Sequence, residues 1–228
     1  MTGELARHLL SACTRLGESV VDLNATDPHL ISAALAMGCP IIATFADTHL
    51  ADTARMTLAR AHSGQELSSV ELRDGSATEA TVARAGFGSA ALVVLREPCQ
   101  AGSPSEGLAE PKPGCAPGDM ALAVELLKPG GCLAVVTGLH QNDGQVDDPL
   151  PRIIAEAKQR GLRYLQHIVA LHVPARGEPV ATEPAAPPPD DRGALECWAL
   201  PPSARVHSDL LLFAKPEETA DSQEGEGR

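Results

Sequence analysis

The chain has 228 residues, of which 43% are hydrophobic and only 2% aromatic, so it can build one sizeable core made mainly of Ala, Val, Leu and Ile. Its formal net charge is -12, which argues against strong attraction to nucleic-acid phosphates. The sequence shows neither an apolar window as long as a membrane span nor a signal-peptide pattern, so we expect a cytoplasmic protein that does not contact membranes. The six cysteines include no C-x-x-C pair, which indicates reduced, mostly buried thiols rather than a zinc ribbon.

Short apolar runs alternate with helical patterns along most of the chain. The predicted strands are residues 19–23, 40–45, 70–73, 90–95, 132–137, 163–173 and 206–214. The predicted helices are residues 4–16, 28–37, 48–60, 77–85, 119–127 and 149–160, with Thr48 as the cap of the third one and a turn at 128–131. This alternation predicts an α/β fold with a mostly parallel sheet and helices on both faces. Two strands follow the last helix, so the final strand is expected to be antiparallel.

Residues 100–118 are rich in Pro, Gly and Ser and are predicted to form a loop, and two later segments also lack a regular pattern. Residues 174–204 are rich in proline and are predicted to form a mobile loop. Residues 217–228 are acidic and polar and are predicted to be a disordered tail. We therefore expect one domain, over residues 1–216.

The order of elements, the sequence KPGG before the fifth strand and the closing sequence HSDLLLFAKP resemble a class I S-adenosylmethionine-dependent methyltransferase. The first strand–helix–strand–helix unit resembles the DNA amino-methyltransferases, which modify N4 of cytosine or N6 of adenine. Their cofactor loop, D-P-F-x-G-S-G-T-T, aligns with residues 22–30, and their D/N/S-P-P-Y/F motif aligns with Arg96-Glu97-Pro98-Cys99. The resemblance implies a Rossmann-like three-layer sandwich and S-adenosylmethionine as cofactor.

The resemblance also implies site residues. Those implied to contact the cofactor are Asp22, Asn24, Thr26, Asp47 and Asp74. In the family an acidic residue holds the ribose, but Phe45 occupies that position in this chain, so Asp47 would replace it. Asp74 matches an acidic position that accepts a hydrogen bond from the adenine amino group. Glu97 and Pro98 are implied to border the methyl acceptor, with Glu97 as a hydrogen-bond acceptor.

Besides Phe45, three further positions depart from the family pattern. The family glycines fall on Thr26 and Pro28, although the backbone must approach the cofactor closely there. Cys99 replaces the aromatic residue that stacks on a flipped base. Two functions therefore stay open. One is a methyltransferase acting on DNA or on a small molecule, and the other is a catalytically inactive relative that acts as a binding or regulatory protein.

Other polar residues are weaker candidates for a site. His167 and His172 lie five residues apart on one strand and so point to opposite faces, while His207 on the neighbouring strand can approach either one. We favour a structural role for them over a metal site or an acid–base pair. His140 is interpreted as a solvated loop histidine. Cys99 has no identifiable activating base, and the acidic loop formed by Asp143, Asp147 and Asp148 is interpreted as solvated rather than cation-binding.

Overall fold

The computed structural model describes residues 1–75, 86–96, 117–138, 140–142, 145–171 and 207–217. Its strands are β1 (Val20–Leu23), β2 (Ile41–Phe45), β3 (Val70–Asp74), β4 (Ala90–Arg96), β5 (Leu127–Thr137), β6 (His140–Asn142), β7 (Gln145–Asp147), β8 (Arg163–Leu171) and β9 (His207–Ala214). Its helices are α1 (Gly3–Cys13), α2 (His29–Ala36), α3 (Thr48–Ala61), α4 (Gly64–Leu67), α5 (Pro117–Leu126) and α6 (Leu150–Gln159). The predicted helix at 77–85, residues 100–116 of the first predicted loop, the predicted loop at 174–204 and the predicted tail from 218 onward lie outside the described residues.

Seven strands form one mixed sheet in the order β3-β2-β1-β4-β5-β9-β8. β1 to β5 pair in parallel, and β9 pairs antiparallel with both β5 and β8. This arrangement confirms the predicted Rossmann-like α/β sandwich with an antiparallel final strand. β6 and β7 form a separate antiparallel hairpin, which replaces the loop predicted around His140 and Asp147.

Each face of the sheet carries its own hydrophobic core. One core packs α1, α2 and α3 against alternate residues of the strands, with Leu10, Leu30 and Phe45 fully buried. The other packs α5 and α6 against the opposite face, around Leu95, Leu133 and Phe213. β4 is buried along its whole length because helices cover both of its faces. Burial on both faces explains why the sequence of this strand is almost entirely apolar.

Three local predictions are wrong in detail. Asp47, not Thr48, caps α3, since its side chain accepts a hydrogen bond from the His49 amide. Pro28 is the N-cap residue of α2 rather than its first helical residue. Residues 128–131 belong to β5 instead of forming a separate turn. They extend β5 because Gly130 and Gly131 exchange backbone hydrogen bonds with Lys215, a partner far away in the sequence.

None of the helices within the described ranges is both long enough and apolar enough to cross a membrane.

Candidate functional site

Acidic residues lie at or just after the carboxyl ends of the first three strands. Asp22 is the third residue of β1, Asp47 comes two residues after β2, and Asp74 is the last residue of β3. β1 lies between β2 and β4, so the strand order reverses beside it. Open α/β sheets bind ligands outside the carboxyl ends of their strands at such a reversal. The fold therefore places these predicted site residues along the edge where a ligand is expected.

Asp22 is bonded on both oxygens to Arg96, the last residue of β4. Arg96 Nε donates to Asp22 Oδ1 at 3.3 Å, and Arg96 Nη2 donates to Oδ2 at 3.0 Å. Asp22 is 0% exposed and Arg96 is 5% exposed. Both ions are thus removed from water, which is tolerated only because each is the partner of the other.

A second carboxylate shares the same guanidinium. Arg96 Nη1 donates to Asp27 Oδ2 at 3.0 Å and lies 3.5 Å from Thr26 Oγ1. The Met1 ammonium donates to the same oxygen of Asp27 at 2.9 Å, and Thr26 Oγ1 lies 3.4 Å from it. We call this group of Asp22, Thr26, Asp27, Arg96 and the Met1 ammonium the Arg96 cluster. Its two positive and two negative groups balance one another.

Burial and charge act against each other within the Arg96 cluster. Burial raises the pKa of Asp22, and the charge of Arg96 offsets part of that rise. Burial also acts to raise the pKa of Asp27, but Arg96, the Met1 ammonium and the His29 amide together hold that pKa below its ordinary value. Burial acts to lower the pKa of Arg96, and the two carboxylates outweigh it and raise this pKa. Arg96 therefore stays a cation at every working pH.

The turn between β1 and α2 is held by specific hydrogen bonds. Asn24 has a φ of 61°, a left-handed conformation that Asn tolerates better than most residues. Its amide donates to Thr44 Oγ1 at 3.1 Å, and the Ala25 amide donates to the Thr44 carbonyl at 2.7 Å. Asn24 Nδ2 also donates to Asp119 Oδ2 on α5, at 3.1 Å. The turn is therefore held by Thr44 of β2 and Asp119 of α5, with Asn24 taking the left-handed conformation that glycine often supplies.

Asp47 and Asp74 are more accessible than Asp22. Asp47 is exposed, and its Oδ1 accepts the His49 amide at 2.8 Å. Asp74 Oδ1 accepts from Arg55 Nη2 at 2.9 Å, and its side chain is 40% exposed. Phe45, at the position of the family's ribose-binding acid, is 0% exposed and packs in the core. The carboxylates of Asp47 and Asp74 therefore lie at a surface edge where a ligand can reach them.

The described residues offer groups that can bind the nucleoside half of S-adenosylmethionine. They lack the free carboxylate and the glycine turn with which the family binds the methionine half. Carboxylates such as Asp47 and Asp74 accept hydrogen bonds from hydroxyl and amino groups, which the nucleoside half carries. Asp22, by contrast, has both oxygens occupied by Arg96. The β1–α2 turn also keeps the side chains of Thr26 and Pro28 where the family has glycine.

The central residue of this site, Arg96, was not predicted as a site residue. The sequence carries one signal for it, a charged residue at the end of the otherwise apolar run AALVVLR. Such a residue, buried at a strand end, requires a carboxylate partner nearby. Glu97, Pro98 and Cys99, the other residues of the aligned catalytic motif, lie outside the described residues, so their roles stay predictions.

The histidines of β8 and β9 meet at a buried carboxylate. His167 Nε2 lies 2.7 Å from Asp209 Oδ1, and His207 Nε2 lies 3.9 Å from Asp209 Oδ2. Asp209 is 4% exposed. The part of the chain that the structure describes has no group of three or more His, Cys, Asp or Glu residues able to hold a metal ion. The arrangement supports the structural interpretation of His167 and His207, while His172 and Asp143 lie outside the described residues.

No family model matches this chain, and no curated protein matches it either. Solved structures do. A predicted O-methyltransferase from Agrobacterium tumefaciens matches with a TM-score of 0.55 and 14% identity, over 96% of this chain and 82% of that one. The 1,6-didemethyltoxoflavin-N1-methyltransferase of Burkholderia thailandensis, with bound 1,6-didemethyltoxoflavin and S-adenosylhomocysteine, matches with a TM-score of 0.56 and 12% identity, over 94% and 78%. A geranyl diphosphate methyltransferase in complex with S-adenosylmethionine matches with a TM-score of 0.56 and 13% identity, over 93% and 85%.

The similarity to these solved structures establishes the fold of the chain. The chain has the Rossmann-like fold of class I S-adenosylmethionine-dependent methyltransferases, as the resemblance implied.

Proposed function

We propose that this chain is a methyltransferase-like protein that binds S-adenosylmethionine at the carboxyl edge of β1, β2 and β3. The observation that carries the proposal is the placement of accessible carboxylates, Asp47 and Asp74, along this edge of a sheet with the methyltransferase strand order. Neighbours of the same fold hold S-adenosylmethionine or S-adenosylhomocysteine, which supports the choice of ligand.

The residues of the chain would have separate tasks. Asp47 would accept from the ribose hydroxyls and Asp74 from the adenine amino group. The cofactor itself supplies an electrophilic methyl group on a sulfonium. Glu97 and Pro98 would border the acceptor, with Glu97 accepting a hydrogen bond from it, so that catalysis would rest on proximity and alignment.

A small molecule is the better-supported acceptor. The formal net charge of -12 disfavours a duplex, and Cys99 cannot stack on a flipped base as an aromatic residue does. The relation to DNA amino-methyltransferases stays a prediction that rests on the aligned residues 22–30 and 96–99. Duplex DNA that binds at low salt with a steep salt dependence would favour that relation, whereas no binding at low salt would remove it.

The second candidate is a catalytically inactive binding or regulatory protein with this fold. The Arg96 cluster favours it, because Asp22 and Asp27 are neutralised inside the protein rather than by a ligand. In this candidate the scaffold is kept for its surface, and the buried ions hold β1, β4 and the β1–α2 turn together.

Calorimetry with S-adenosylmethionine, S-adenosylhomocysteine and adenosine separates the two candidates. Binding is expected for the first candidate, and Asp74→Ala should weaken it about tenfold, the effect of losing one hydrogen bond to a charged group. Asp52→Ala is the matched control, since Asp52 also bonds Arg55 but lies on α3. No heat at millimolar ligand would eliminate the first candidate and leave the second.

A further inference from the structure

Cys13 and Cys132 meet between α1 and the sheet. Cys13 ends α1 on the same face as Leu9 and Leu10, which are buried against the sheet. Cys132 lies on β5 two residues before Ala134, so both side chains point to that face. Both cysteines pack against the same hydrophobic core. Two thiols from distant parts of the chain are therefore brought together by the packing of α1.

Each thiol changes the pKa of the other. The Cys13 thiol donates a hydrogen bond to the Cys132 sulfur, which is the largest cause of the changed pKa of each. This bond, together with the charge of Lys128, outweighs burial and lowers the pKa of Cys132 to about 7. The same bond, helped by burial, raises the pKa of Cys13. The lowered pKa favours the thiolate of Cys132, which is the nucleophilic form of cysteine.

Both cysteines are also accessible to a small oxidant. Cys13 and Cys132 are partly exposed, whereas Cys39, the other cysteine in the described residues, is 1% exposed. The Cys39 sulfur lies 3.4 Å from the Arg15 carbonyl and 3.7 Å from Thr14 Oγ1. Cys39 therefore has polar partners of its own and is shielded from solvent.

We propose that Cys13 and Cys132 form a reversible disulfide when the protein meets a hydroperoxide, and that this bond joins α1 to β5. The Cys132 thiolate attacks the O–O bond, an S–O bond forms, and the leaving hydroxide takes up the proton that Cys132 lost on ionising. The Cys13 sulfur then attacks the resulting sulfenic acid, the S–S bond forms, the S–O bond breaks, and the oxygen leaves with the Cys13 proton as water. The two thiols lose two electrons and the peroxide gains them.

This modification site is separate from the candidate ligand site. Cys132 pairs in register with Leu92, and Leu92 pairs with Val20 at the start of β1. The sulfur pair therefore lies toward the amino ends of the strands, away from Asp47 and Asp74. The proposal does not depend on whether S-adenosylmethionine binds.

Peptide mapping of the folded, full-length protein tests the proposal. Cleavage after glutamate separates the six cysteines onto different peptides, with Cys13 on residues 5–18 and Cys132 on residues 126–156. After treatment with hydrogen peroxide we expect these two peptides as one species, lighter than their sum by two hydrogens and split by dithiothreitol. Its absence at excess peroxide, or a link from Cys13 to another cysteine, would overturn the proposal.

Three variants assign the roles of the two sulfurs. Cys13→Ser should stop the cross-link and leave a sulfenic acid on Cys132 that dimedone traps. Cys132→Ser should remove both the cross-link and the dimedone adduct, and Cys39→Ser should leave the cross-link unchanged. Circular dichroism confirms that each variant is folded. A cross-link that forms equally well in urea would show that the folded packing plays no part, which would also contradict the proposal.

Discussion

Arg96 has an unusual environment for an arginine, since it is buried at a strand end between two carboxylates. Its guanidinium bonds Asp22 on two nitrogens and Asp27 on a third. A buried ion pair of this kind adds little stability over a well-packed apolar replacement, but the loss of one partner leaves an uncompensated buried charge. Removing one partner of the Arg96 cluster should therefore destabilise the fold by more than the intact cluster stabilises it.

Replacing Arg96 by methionine tests this asymmetry. Arg96→Met should lower the free energy of unfolding by about 3–5 kcal/mol, because Asp22 keeps its burial and loses its cation. Adding Asp22→Asn to that variant should recover part of the loss. Urea unfolding followed by circular dichroism measures both.

An exposed arginine provides the control. Arg55 bonds Asp52 and Asp74 at the surface, with 42% of its side chain exposed, so Arg55→Met should cost at most about 1 kcal/mol. Equal losses for the Arg96 and Arg55 variants would contradict the buried-cluster interpretation.

Asp27 gives the cluster a defined pH dependence. Its pKa is lower in the folded protein than its ordinary value, so ionised Asp27 stabilises the fold above the unfolded-state pKa of about 3.9. That contribution is lost as the pH falls through the folded-state value. Asp27→Asn keeps an oxygen for the His29 amide but carries no charge. The difference in unfolding free energy between wild type and variant should be largest above pH ~5 and shrink on further acidification.

Thermal unfolding between neutral and strongly acidic pH measures this difference. Asp22, whose pKa is shifted the other way, is present in both proteins and largely cancels. A difference that stays constant across the acid range would show that the charge of Asp27 does not stabilise the fold.

At the scale of elements, the first part of β5 depends on tight backbone packing. A Cβ atom at Gly131 would lie 2.9 Å from the Ala90 carbonyl oxygen and 2.9 Å from the Lys128 carbonyl oxygen. The Gly131 carbonyl also accepts the Lys215 amide, which joins the start of β5 to the end of β9. A side chain at this position has no room unless backbone moves.

Gly131→Ala should therefore destabilise the protein by about 2 kcal/mol, within the range for overpacking a core. Gly64→Ala is the matched control, since nothing lies within 4 Å of a Cβ there and alanine favours the helix that Gly64 begins. Chemical denaturation of the two variants gives the comparison. If Gly131→Ala unfolds at the same urea concentration as Gly64→Ala, the close approach at the start of β5 is not rigid.

At the scale of the whole molecule, burial falls from the centre of the sheet to its edges. Every residue of β1 and β4 is buried, whereas no residue of β3 or β8, the two edge strands, is fully buried. The central strands have helices on both faces and a neighbour on each side, so they open only when the entire fold unfolds.

Native-state hydrogen exchange should follow this gradient. Amides of β4 and β1 are expected to exchange only by global unfolding, and paired amides of β3 and β8 by smaller local openings. Exchange measured by NMR or mass spectrometry in low denaturant resolves the two classes. Slower exchange in β3 than in β4 would contradict this assignment of the core.

The fold class could be predicted from the amino-acid sequence. All seven strands of the main sheet and five of the described helices lie within a few residues of their predicted positions. The reason is that the spacing of apolar residues depends on which face of each element is buried, and this spacing can be read from a short stretch of sequence. The two strands predicted after the last helix also indicated the antiparallel ending that β9 forms beside β5. A helix cap at Asp47 and the hairpin of β6 and β7 were missed, since each depends on turn geometry that periodicity does not record.

The partners of the predicted site residues depend on contacts that form only in the folded protein. Asp22 and Arg96 are 74 residues apart, and the parallel pairing of β1 with β4 brings their charges together. Cys13 on α1 and Cys132 on β5 likewise pack against one hydrophobic core only in the folded chain. The sequence states which residues carry charge or sulfur, but the partner of each one depends on strand order and register. Because of strand order and register, Asp22 forms an internal ion pair with Arg96. Asp47 and Asp74 stay exposed at the surface.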